Sequence, residues 1–133
     1  MEIKKLTGDL SVSAQIQPAD LRAVADAGFR AVICNRPDGE GADQPGFDAI
    51  AVAAAAAGIE ARYVPVVTGM VTEEDTAAFA RAQAELPGPV LAYCRSGTRS
   101  ATLWSLSQAG RRSVADILGV TKAAGYDMSG VVS

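Results

Sequence analysis

Six consecutive residues, Cys94-Arg95-Ser96-Gly97-Thr98-Arg99, with Ser100 directly after them, bring together a sulfur nucleophile, two guanidinium groups, a glycine and hydroxyls. The apolar run Val90 to Tyr93 before them reads as a short strand, and the stretch from about Ser100 to Ala109 has helical composition. A tight loop between a strand and a helix N-terminus turns several backbone N–H groups toward one point, and the helix dipole adds partial positive charge, so such a loop suits an anion. The same field favours thiolate over thiol, the nucleophilic form of cysteine. Arg99 offers a planar two-pronged fork to an oxyanion, and Arg95 adds a second charge at the rim. Gly97 permits the positive φ that a tight loop often needs. Cys94 and Arg99 are therefore the candidate catalytic pair. Arg95, Ser96, Gly97, Thr98 and Ser100 are the candidate anion-binding loop, with the three hydroxyls as further donors.

The rest of the composition narrows the chemistry. Histidine is absent, which excludes Cys-His and Ser-His-Asp hydrolases, and two cysteines sixty residues apart, Cys34 and Cys94, make a poor metal site. No metal or cofactor is expected. Gly39-Glu40-Gly41 begins like a dinucleotide fingerprint, but Gln44 stands where the third glycine belongs and no helix pattern starts there. A net charge of -3 gives no footprint for nucleic acid or acidic membranes. The start Met-Glu-Ile-Lys-Lys-Leu-Thr-Gly has no apolar leader core, and no run reaches membrane-spanning length. The expectation is a cytoplasmic protein with free thiols. A chain of 133 residues, 49% hydrophobic and 20% charged, fits one domain spanning positions 1–133.

The elements that must position the loop are legible in outline. Pro18 suits a helix first turn, Leu21, Val24 and Ala25 form an apolar stripe, and Gly28 follows the last turn. Phe29 to Asn35 contains the buried run Ala-Val-Ile-Cys, closed by the turn Arg36-Pro37-Asp38-Gly39. Phe47, Ile50, Ala51 and Ala54 share a face of an alanine-rich helix that ends at Gly58. Arg62 to Val67 is a further β-branched run. Thr72 reads as an N-cap, with Glu73, Glu74 and Asp75 in a first turn and Phe79 and Leu86 toward the core, and Pro87-Gly88-Pro89 ends this helix. A last helix starts at Ser113 and stops at Gly125. Strands alternating with helices predict an α/β fold, a mainly parallel central sheet with helices on both faces, in which ligands sit beyond the carboxyl ends of the strands.

At these residues the chain resembles the DUF442 family, the phosphatase-like domain of β-lactamase-hydrolase-like proteins, within the dual-specificity-phosphatase-like superfamily. The likeness runs through Leu10 to Leu21, Gly28 to Glu40 and Pro65-Val66, and is most specific over Pro89 to Ser100. It implies a cysteine-phosphatase-like fold in which the strand Ala31 to Asn35 lies beside the Cys94 strand, bringing Arg36 and Cys34 near the pocket. Phosphatases of this kind place Arg six positions after Cys, usually with His before the Cys. Here Arg99 is at the fifth position, Ser100 at the sixth, and Tyr93 precedes the Cys. The shorter spacing resembles the active loop of rhodanese-type sulfurtransferases, which carry sulfur as a cysteine persulfide. Phosphatases also use an acid to protonate the leaving oxygen, commonly an Asp on the loop after the strand equivalent to Tyr63 to Val67; on that loop the nearest carboxylates are Glu73, Glu74 and Asp75, but they sit where a helix first turn favours them. Sulfur transfer needs no such acid.

The leading expectation is thus a sulfurtransferase with a Cys94 persulfide and a thiosulfate or persulfide donor, the alternative a phosphatase with a Cys94 phosphocysteine, and the third a non-catalytic anion-binding module. Cys34 is either a buried strand residue or a resolving thiol, and Arg36 either a turn residue or an anion recruiter. The family's association with metallo-β-lactamase-like persulfide dioxygenases implies such an enzyme as partner, beside a small anionic or persulfide substrate.

Overall fold

The computed structural model describes residues 1–132. Strands β1 (Ile3–Lys5), β2 (Leu10–Ser13), β3 (Ala31–Cys34), β4 (Glu60–Tyr63) and β5 (Val90–Tyr93) form one sheet in the order β1-β2-β5-β3-β4. Only β1 runs antiparallel; β5 lies between β2 and β3 and is parallel to both. Helices α1 (Leu21–Asp26), α2 (Phe47–Ala56), α3 (Glu73–Glu85), α4 (Thr98–Ser107) and α5 (Val114–Ala123) complete the chain. This is the α/β architecture expected, with the Ala31–Cys34 strand beside the Cys94 strand.

Strand side chains alternate between the two faces of the sheet. Val12, Ala31, Ile33, Val90 and Ala92 pack with Phe79 of α3, Leu103 and Trp104 of α4 and Ile117 of α5. Val32, Cys34, Leu91 and Tyr93 pack on the other face with Leu21 and Val24 of α1 and Ile50 and Ala54 of α2. Covered on both faces and flanked by partners on both edges, β5 must be apolar throughout, which is why Val-Leu-Ala-Tyr carries no polar alternation. Truncating Phe79 or Trp104, both essentially unexposed, would cost about 3–5 kcal/mol. Among the described residues no helix is long and apolar enough to cross a membrane.

Two boundaries and one strand differ from the sequence reading. The fourth strand spans Glu60–Tyr63 rather than Arg62 to Val67. Pro65 has no N–H, so the ladder lapses, yet Val64 and Val66 still donate to the Cys34 and Asn35 carbonyls, and the segment continues along the end of β3. Helix α4 begins at Thr98, because the Gly97 carbonyl already accepts from Ala101 N, so Arg99 and Ser100 lie in its first turn. Strand β1 was not anticipated: three residues with two lysines make a short charged edge and carry little pattern.

Candidate active site

Cys94 leaves β5 at its carboxyl end, between the ends of β2 and β3. Its N–H donates to the Ser13 carbonyl (3.4 Å), and Gln15 N–H donates to the Arg95 carbonyl (3.3 Å), so the loop is tied to the chain leaving β2. Gly97 adopts φ 91° and donates its N–H to Cys94 Sγ at 3.1 Å. A side chain at Gly97 would be strained by that φ and would collide with the Tyr126 hydroxyl. Cys94, Gly97, Arg99 and Ser100 are buried, whereas Arg95, Ser96 and Thr98 are exposed at the rim, with Ser96 and Thr98 hydroxyls 3.0 Å apart.

Arg99 is held by a partner that the loop itself does not contain. Its Nη1 and Nη2 donate to Glu40 Oε2 (2.8 Å) and Oε1 (2.6 Å), and Nη1 also donates to the Val66 carbonyl (2.9 Å). Arg36 Nε donates to the same Glu40 carboxylate (3.1 Å) and its Nη1 to Gln15 Oε1 (3.1 Å). Hydrogen bonds from Arg99, and then from Arg36, hold the Glu40 carboxyl below the usual carboxylate range; Glu40 in turn raises Arg99, and the nearby Cys94 sulfur adds to that rise. A guanidinium has five N–H donors. Three are committed here, and among the described residues the Nε proton and the second Nη2 proton have no oxygen or nitrogen partner. Those two lie on one edge, so a bidentate fork remains open beside the sulfur.

The loop carrying Glu40 is itself pinned. Asp38 N–H donates to the Tyr63 hydroxyl (2.9 Å), Asp38 Oδ1 accepts from Phe47 N–H (2.9 Å), and Gln44 Nε2 donates to the Pro37 carbonyl (2.9 Å). A buried strut supports the other side of α4. Ser100 Oγ donates to Asn35 Oδ1 (2.8 Å), and Asn35 Nδ2 donates to the Val64 carbonyl (2.9 Å). The Ser100 proton is thus given to Asn35, so this hydroxyl braces the loop.

Of the accessory residues, Arg36 reaches the site through Glu40. Cys34 sits opposite Tyr93 in the β3–β5 ladder and donates its thiol proton to the Arg36 carbonyl (3.3 Å); burial pushes this thiol up. Glu73, Glu74 and Asp75 make no hydrogen bond or ion pair to the Cys94 loop among the described residues, and Asp75 closes a capping box with Thr72. Sequence reasoning missed Glu40, Gln15, Asn35 and Tyr126 as parts of the site. Glu40 had a signal, four residues after Arg36 in the turn that follows β3; Tyr126, thirty positions from Ser96, had none.

Residues 2–111 match the sequence profile of the phosphatase-like domain of beta-lactamase hydrolase-like proteins. The chain belongs to that family. A beta-lactamase hydrolase-like protein of Agrobacterium fabrum is 38% identical over 130 residues, covering 96% of this chain but only 30% of its own length, so this chain spans under a third of that relative. The solved structure of a candidate phosphatase from Neisseria meningitidis is 35% identical, with a TM-score of 0.89, over 98% of this chain and 93% of that one. The core catalytic domain of the PP-IP phosphatase SIW14 of S. cerevisiae superposes with a TM-score of 0.69 over 97% of this chain and 87% of that one, and at 12% identity it shares the fold. The phosphatase-like family domain is accordingly a cysteine-dependent, phosphatase-like hydrolase in kind. These likenesses support phosphate chemistry better than the sulfur transfer that loop spacing favoured.

Proposed function

We propose that this phosphatase-like domain hydrolyses phosphate monoesters through Cys94. The observation that carries the reading is the Arg99 guanidinium, fixed on one edge by Glu40 and Val66 and open on the other, beside a buried cysteine whose sulfur receives a backbone N–H. The Cys94 sulfur attacks phosphorus and forms an S–P bond, while the bond to the ester oxygen breaks and that oxygen leaves as an anion, which water protonates afterwards. The open Arg99 edge and the loop amides hold the equatorial oxygens, where charge accumulates. A water molecule then attacks phosphorus, the S–P bond breaks, and inorganic phosphate leaves.

Asp75 is engaged in its cap, and Glu73 and Glu74 are exposed in the first turn of α3. With none of these carboxylates hydrogen-bonded to the Cys94 loop among the described residues, the substrates expected are esters whose leaving oxygen departs unprotonated, aryl phosphates ahead of alkyl phosphates. Wild-type protein should release p-nitrophenol from p-nitrophenyl phosphate, Cys94→Ser should not, and alkyl phosphates should be far slower. Turnover that survives Cys94→Ser would end this reading.

One observation favours a second reading: Arg99 stands at the fifth position after Cys94, so the loop is one residue shorter than in the phosphatases it resembles. In sulfur transfer, Cys94 would attack the sulfane sulfur of thiosulfate and release sulfite, with a persulfide dioxygenase as the natural partner. A mass gain of one sulfur atom on Cys94 after thiosulfate treatment, without phosphate release, would favour it over the phosphatase.

A further inference from the structure

Ser96 C=O and Gly97 N–H belong to one planar peptide group, so their directions are rigidly opposed. The amide end donates to Cys94 Sγ at 3.1 Å, and the carbonyl end accepts from the Tyr126 hydroxyl at 3.3 Å. We propose that Tyr126 is a positioning residue for Cys94: its hydroxyl holds the carbonyl end of the Ser96–Gly97 peptide, so that the amide end stays aimed at the sulfur. This rests on Cys94 being the nucleophile, as proposed above, but not on the identity of its substrate.

The peptide needs such an anchor. Gly97 is at φ 91°, in backbone space that a glycine crosses freely, so nothing in the residue itself prevents the peptide from turning over. Turned over, it would aim a carbonyl oxygen at the sulfur in place of a donor.

Tyr126 is well placed to act as that anchor. Helix α5 is capped by Ala124 and followed by Gly125, whose φ is 96°; Gly125 N–H donates to the Lys122 carbonyl and Tyr126 N–H to the Thr121 carbonyl. This paired pattern is a Schellman motif, which fixes the direction of the residue after the glycine. Beyond it, Met128 is buried and its sulfur lies 3.7 Å from Thr102 Oγ1 of α4, which packs the tail on the helix that the reactive loop opens. Burial pushes the Tyr126 phenol up, so at neutral pH it remains a donor. Tyr126 and Met128 lie outside residues 2–111, the stretch that matches the family profile.

The test compares the full chain with Tyr126→Phe, which keeps the ring and removes only the hydroxyl. Iodoacetamide labelling of Cys94 is followed against pH, with peptide mapping to separate it from Cys34. The other titratable groups that feel the Cys94 charge, Arg99 on α4 and Cys34 at the end of β3, are unchanged in the variant, as are Lys4 of β1 and Glu2 just before it, whose charges act on Tyr126. Loss of one hydrogen bond predicts slower labelling, by about 3- to 10-fold at neutral pH. Where turnover is measurable, kcat should fall more than KM.

An unchanged labelling profile would overturn the proposal. So would an equal shift in Met128→Leu, which perturbs the same segment without touching the peptide, because packing and not the hydroxyl would then be responsible. Labelling needs no substrate: a shifted profile with no phosphate release would sink the proposed function and leave the role of Tyr126 standing.

Discussion

Replacing Glu40 by Gln should damage both stability and turnover, because one carboxylate orders two buried arginines. It accepts two hydrogen bonds from Arg99 and one from Arg36, at 2.6, 2.8 and 3.1 Å. Bonds to charged groups contribute about 1.5–3 kcal/mol each, but these share one acceptor and do not add. Gln keeps one oxygen acceptor and turns an NH2 against a guanidinium. The Glu40 side chain is 28% exposed, which lets water compensate in part, whereas Arg99 at 8% has little access to it.

The expected loss is about 2–3 kcal/mol, which for a chain of this size lowers Tm by about 6–12 °C. Freed from Glu40, Arg99 keeps only the Val66 carbonyl as anchor, and its open edge no longer faces the sulfur in a fixed direction. Misplacement of that kind predicts kcat/KM lower by about 10- to 100-fold. Glu40→Asp, which keeps the charge at shorter reach, should fall between the two. Thermal melts and p-nitrophenyl phosphate kinetics read both effects. Glu40→Gln with wild-type Tm and wild-type kcat/KM would refute the view that this carboxylate sets the arginine.

The same carboxylate gives an acid limb to the stability profile: its folded pKa lies below the unfolded value, so its contribution is complete above about pH 4.3 and is lost as pH falls through the folded value. Melts from pH 6 downward should therefore steepen below about pH 4 in the wild type and less so in Glu40→Gln; parallel curves would contradict this. The Tyr93 hydroxyl is buried with no hydrogen-bond partner among the described residues, and burial pushes its pKa well above the usual phenol range. Tyr93→Phe should leave stability within about 1 kcal/mol or raise it, measured by urea unfolding, and a loss above about 2 kcal/mol would mean the hydroxyl is satisfied after all. Gly97→Ala combines a left-handed φ with a collision at Tyr126 and should cost about 2–4 kcal/mol. The cost should be smaller in a Tyr126→Phe background; an equal cost in both would place the strain in the backbone alone.

What could be read from the sequence divides by range. Cys94, Gly97 and Arg99 were legible because strand, loop and helix follow one another within a dozen residues, and helix α3 because Thr72 and Asp75 form a local cap. The parallel sheet followed from alternation of elements, the pairing of β5 with β3 came from family resemblance, and the pairing of β5 with β2 was not foreseen. Long-range polar partners were not legible. Glu40 meets Arg99 across 59 positions, and Asn35 meets Ser100 across 65; no periodicity marks either pair. The preference for sulfur over phosphate rested on loop spacing and on the lack of a placed acid, and the fold and its relatives, which neither encodes, weigh toward phosphate.

The most direct test of the central claim is intact-mass analysis of the protein quenched in acid during turnover of p-nitrophenyl phosphate. The account predicts a species heavier by one phosphoryl group, mapped to Cys94 and absent from Cys94→Ser. Turnover with no adduct on Cys94, or a phosphoryl group on any other residue, would contradict it.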